Sequence, residues 1–289
     1  MNRFTLLCCA ALTACGAMTS TPLDAGTDAG VHMHMHADVT KLTFKAKVGT
    51  QDFACGQTYQ LGTPATQYKP RDFRLYVHDV VLATQEGVDV PFALTDDGTF
   101  QRAGVALLDF ENKAGECSNG TAETHTTLDG KAAGGHYHKL SFTLGVPFDQ
   151  NHQDAAAAQV PLNSTAMFWN WMGGYKFLKI DGVTTGLPMG HDLHVGSTAC
   201  MAGATPNSVA SCSNANRLRV TLDFDPDSDV VVLDLASLFE TSNLDTNLAM
   251  SAPGCMSAPT DTDCAPVFSK LGLPFGGTAA GPQAFFKVQ

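Results

Sequence analysis

Ten histidines and ten methionines are the side chains of this sequence best suited to chemistry. His32-Met33-His34-Met35-His36 alternates imidazole with thioether, a borderline donor with a soft one, on a backbone able to wrap an ion. The same stretch also reads as a solvated low-complexity tail. His136 and His138 stand two apart, so an extended chain puts them on one face. His191-Asp192-Leu193-His194 pairs two imidazoles, and His152 follows Phe148-Asp149-Gln150-Asn151. Both tryptophans fall in Met167-Phe168-Trp169-Asn170-Trp171-Met172, where Met167, Trp169 and Trp171 share a face if the segment is a strand. No nucleophile elbow, H-E-x-x-H, phosphate loop or dinucleotide loop occurs in its required context. The expectation is therefore a binding protein rather than an enzyme.

Composition narrows the setting. The net charge is −11 and charged residues make up only 16 %, which argues against a nucleic-acid binder, since phosphate affinity needs clustered Lys and Arg. No apolar run reaches the ~18–20 residues of a membrane-spanning helix. Arg3 followed by apolar Phe4 to Leu12 has the layout of a secretory leader. Leu12-Thr13-Ala14-Cys15-Gly16 resembles a bacterial lipobox, so residues 1–14 are expected to be removed and Cys15 to carry lipid. The anchored protein would lie at the outer membrane or periplasmic face. Residues 15–38 read as a flexible tether carrying the His/Met motif. Cys55, Cys117, Cys200, Cys212, Cys255 and Cys264 remain for an oxidising compartment, where disulfides are the default. The short spacings suggest Cys200 with Cys212 and Cys255 with Cys264, leaving Cys55 to reach Cys117. With those sulfurs oxidised, imidazole and thioether are the soft donors left, a set that suits copper.

The elements that position these residues are expected to be strands. From Val39 onward Leu42, Phe44, Ala46 and Val48 alternate with polar residues, and Arg217 to Phe224 repeats that period. Apolar segments at Phe73 to Leu82, Val105 to Phe110, Leu140 to Val146, Phe168 to Ile180 and Phe285 to Val288 are bounded by turn residues. Helix is scarce, the clearest case being a short segment capped by Asp234. The expected fold is all-β: one β-sandwich-like domain over 39–289, with long disulfide-stapled loops and little helix.

Several blocks carry a resemblance. Val48-Gly49-Thr50-Gln51-Asp52-Phe53-Ala54-Cys55-Gly56, Arg71-Asp72-Phe73-Arg74-Leu75-Tyr76-Val77 and Cys117-Ser118-Asn119-Gly120 resemble the MbnP family, four-Cys proteins of a metallo-mystery pair. Phe142 to Phe148, Asn151-His152, Met167 to Trp171, His194 to Cys200 and Pro253 to Pro259 keep the same order. The resemblance implies a copper protein whose partner is a di-haem, cytochrome c peroxidase-like protein of the MbnH type. That partner oxidises a Trp to kynurenine, whose aryl amine joins His side chains around Cu(I). Trp169 and Trp171 are then the candidates for modification. Copper-binding relatives place a His two residues after that Trp, where this chain has Trp171 or Gly173, so the His donors must come from elsewhere. His152 and His194, each inside a matching block, are the expected ligands, with His191 auxiliary and Asp149 or Asp192 orienting an imidazole. The alternative is a disulfide-rigidified structural or interaction module without a physiological metal.

Overall fold

The structure, a computed structural model, describes residues 37–289; the leader, Cys15 and the His32 to His36 motif lie outside them. In the strand Val39–Val48, Leu42, Phe44, Ala46 and Val48 are buried as their alternation requires. This strand is central to a sheet ordered Phe286–Val288, Val231–Asp234, Val39–Val48, Thr127–Ala132, Ala93–Leu94, with Val231–Asp234 running parallel to it. A second sheet follows the order Leu218–Asp223, Tyr137–Leu144, Thr66–Thr84, Leu178–Thr184, His191–Val195, Gly254–Cys255.

The two sheets face each other across an aromatic core. Phe142 meets Phe44 and Phe286 edge-on, with centroids 5.6 and 5.2 Å apart. Burying each such ring contributes about 1.5–3 kcal/mol. The far side of the second sheet is covered too. There Tyr76, Val105 and Leu107 pack against Val146, Leu162, Met167, Tyr175 and Phe177 of a long excursion. Covering on both sides explains why every residue from Asp72 to His78 is buried, a run that a half-buried strand does not produce. Phe73, Leu75 and Val77 join the inter-sheet core, and the alternate position Tyr76 faces the excursion.

Disulfides link Cys55–Cys117, Cys200–Cys212 and Cys255–Cys264, the pairing suggested by the short spacings. Asp234 accepts from the Ala236 N–H at 3.0 Å and so caps Leu235–Leu238 as its position predicts. The helix Cys264–Leu271 is an addition within what reads as a stapled loop. It buries Val267, Phe268 and Leu271 along one face.

The tryptophan segment departs from a single extended stripe. Only Phe168–Asn170 is strand, paired with Gly174–Tyr175. Met167 ends the 3-10 turn Thr165–Met167 and is fully buried, while Trp171 sits half-buried in the hairpin turn. Asn170 makes that turn: its Oδ1 accepts the N–H groups of Met172 and Gly173, each at 2.9 Å. His136 precedes the strand Tyr137–Leu144 and only His138 lies within it.

Candidate metal centre

Three neighbouring strands of the second sheet carry charged residues between apolar ones. The register sets Asp72 opposite Asp181 and Arg74 opposite Lys179, then Asp181 opposite Asp192 and Lys179 opposite His194. Alternation sends Phe73, Ile180 and Leu193 into the inter-sheet core and the charged residues to the far face. Arg74 donates to Asp72 through Nε at 2.7 Å and through Nη2. The Lys179 ammonium lies between Asp72 and Asp181. Two buried cations thus meet two buried carboxylates, which removes the several kcal/mol that an unpaired buried charge would cost.

His194 closes this row. Its Nε2 lies 2.8 Å from Asp181 Oδ1, so that nitrogen carries the proton and donates. Nδ1 is left buried and without a hydrogen-bond partner. An imidazole backed by a carboxylate, with its second nitrogen unpaired, is the arrangement that orients a metal-bound His. Burial pushes the Asp181 carboxyl up, but the hydrogen bond from His194 and the charge of Lys179 outweigh it and hold the group at about 2. Asp192 goes the other way, raised by burial and then by the negative Asp181. The carboxylate that accepts from His194 is Asp181, rather than Asp149 or Asp192.

Trp169 lies beside this imidazole, ring centroids 6.4 Å apart and the planes tilted by 53°. It is half-buried and lines a cavity of about 420 Å³ with Met172, Met256, Thr198 and Cys200. Gly196 makes the fit possible, since a Cβ there would come within 2.5 Å of Trp169 Cζ3. Met172 and Met256 bring thioethers to the same cavity. Sequence spacing passed over Met256 because only the pairing of Gly254–Cys255 with His191–Val195 carries it there. His194 offers an unpaired imidazole nitrogen with the Trp169 ring nearby, and two thioethers line the cavity on Trp169, donor types that suit Cu(I) better than a hard ion.

The other expected residues lie elsewhere. His191, three residues before His194, occupies the opposite face of the strand, 5.9 Å from Phe239 in the inter-sheet core. Burial pushes its imidazole pKa down. His152 Nδ1 is 3.0 Å from the Trp171 carbonyl oxygen, and its Nε2 is 3.6 Å from Cys212 Sγ. Among the described residues, His152 groups with Cys200 and Cys212, and His194 with Asp181 and Asp192. The four residues expected to make one site thus fall into two centres: Trp169 with His194, and the Trp171 main chain with His152.

Fold and site together define a disulfide-stapled all-β domain with a histidine–tryptophan centre on the far face of its larger sheet. The MbnP family profile matches residues 36–257, and the chain belongs to that family. Its structure is similar to that of MbnP from Methylosinus trichosporium, at 33% sequence identity and a TM-score of 0.78, over 87% of this chain and 98% of that one. Comparison with curated proteins gives no match.

Proposed function

We propose that this chain is an exported copper-binding lipoprotein, not an enzyme, that holds Cu(I) for acquisition or storage at the centre formed by Trp169 and His194. The observation carrying this reading is the buried, unpartnered Nδ1 of His194, backed by Asp181 and lying beside one of only two tryptophans in the chain. A structural module without metal accounts for the three disulfides but not for a carboxylate-backed imidazole with a free nitrogen beside a tryptophan. Family membership favours maturation by a di-haem MbnH-type partner that oxidises a Trp to kynurenine. Trp169 is the better placed of the two, being next to His194. Asp181 would keep the His194 proton on Nε2 and so leave Nδ1 to the ion.

The test is peptide mapping and metal analysis of protein isolated from its own host. The expected result is the mass change of kynurenine at Trp169 together with bound copper, and loss of copper in His194→Ala. Unmodified tryptophans without copper would overturn the reading. Lipid anchoring is checked separately, since Cys15→Ala should release the protein from membranes.

A further inference from the structure

The second centre, whose Cys200 shares a cavity with Trp169, supports a proposal that does not depend on oxidation of Trp169. The strands Thr198–Ala202 and Val209–Asn214 form a two-stranded hairpin in which Cys200 and Cys212 are directly opposite each other. The hairpin register continues on both sides through Thr198 opposite Asn214 and Met201 opposite Ser211. Breaking the sulfur–sulfur bond therefore leaves both cysteines side by side on a held backbone. This bond also differs from the other two in access. Cys55, Cys117, Cys255 and Cys264 are buried, whereas Cys200 and Cys212 are half-exposed, and Cys200 borders the 420 Å³ cavity with Met172 and Met256.

His152 is already set as a third donor. A carbonyl can only accept, so Nδ1 carries the proton that His152 donates to Trp171 O. The Nε2 lone pair then faces Asn151 Nδ2 at 3.2 Å and Cys212 Sγ at 3.6 Å. One ligand atom from each of His152, Cys200 and Cys212 lies within 4.8 Å of the others. In the oxidised protein that lone pair accepts from Asn151 Nδ2 and faces, beside it, a disulfide sulfur that can donate nothing.

We propose that Cys200–Cys212 is a redox-gated metal site: on reduction by a dithiol, Cys200, Cys212 and His152 bind a soft monovalent ion, Cu(I), as a two-thiolate, one-imidazole centre. The dithiol gives two electrons and two protons to the protein disulfide, yielding two cysteine thiols and its own cyclic disulfide. Binding of the ion then displaces both thiol protons, while His152 coordinates through Nε2 without losing one. Thioredoxin-like proteins and small dithiols share this chemistry.

The experiment uses mature protein made without a haem partner, so that its tryptophans are unmodified. One sample is reduced anaerobically with limiting dithiothreitol and desalted, and an oxidised sample is treated in parallel. Both are titrated with Cu(I) against a chromophoric chelator, and free thiols are mapped by alkylation. The expected result is one further Cu(I) bound by the reduced sample, with alkylation confined to Cys200 and Cys212 and blocked by the ion. Cys200→Ser/Cys212→Ser should lose that equivalent, and His152→Ala should weaken it at least about tenfold while both thiols still alkylate. No added equivalent on reduction overturns the proposal, as does an added equivalent that survives in the double variant or first labelling at a buried pair. His194→Ala should leave this equivalent intact, so its failure and that of the Trp169 centre are separable.

Discussion

At the scale of the residue, the centre rests on a proton held in one place. His194 donates Nε2–H to Asp181, and that carboxylate is ionised across the whole neutral range because its pKa sits at about 2. Asp181→Asn keeps an acceptor but removes the charge, so Cu(I) affinity at pH 7 should fall about 10–100-fold, measured by chelator competition. Asp109 is the counterexample among the buried acids. Burial, only partly opposed by Arg74, pushes its carboxyl up to about 7. The unfolded carboxyl releases its proton near pH ~4. Between those values the native state binds the extra proton, so stability falls as pH rises, by up to about 1.4 kcal/mol per unit. Asp109→Asn should flatten that slope, because its side-chain oxygen can still accept the Glu111 N–H. Urea midpoints at pH 5 and pH 7 for the two proteins would show it, and equal slopes would contradict the assignment.

At the scale of the element, the tryptophan hairpin and the strand His191–Val195 depend on close approach. A Cβ at position 196 would come 2.5 Å from Trp169 Cζ3 and 2.7 Å from the Tyr175 carbonyl oxygen. Gly196→Ala must therefore push the hairpin away from His194. The expected cost is about 1–3 kcal/mol in chemical denaturation, with a shift in tryptophan emission and weakened copper binding. Unchanged emission would mean that Trp169 packs elsewhere. The elements themselves were legible where one period governed them: Val39–Val48 and Leu218–Asp223 were readable because one face is dry and the other wet. The Trp segment was not, since the Asn170 side chain caps a turn in the middle of an apolar run.

At the scale of the whole molecule, the larger sheet has two dry faces with different duties. The inter-sheet side carries stability, through Phe142 against Phe44 and Phe286. The far side carries the centre, through the excursion anchored by the fully buried Met167. Phe142→Ala should cost about 3–5 kcal/mol while the folded protein keeps its copper affinity. Met167→Ala should cost about 2–5 kcal/mol and also weaken copper binding, because the hairpin bearing Trp169 loses its anchor. Unfolding curves paired with Cu(I) competition distinguish the two. An equal effect of both variants on copper would show that the faces are not separate.

By itself the sequence determined the all-β class, the Asp234 cap and the short-range cysteine pairs, since each follows from a local period, a single side chain or a short loop. It also narrowed the metal donors to a handful of His and Trp positions by residue chemistry. Only the tertiary structure decided which of them meet. Strand register brought Asp181 to His194 and left His191 on the opposite face, because neighbouring positions on a strand point to opposite sides. Pairing of Gly254–Cys255 with His191–Val195 carried Met256 to Trp169's cavity, and the Asn170 turn aimed the Trp171 carbonyl at His152. Those contacts join residues far apart along the chain, and no local pattern encodes them.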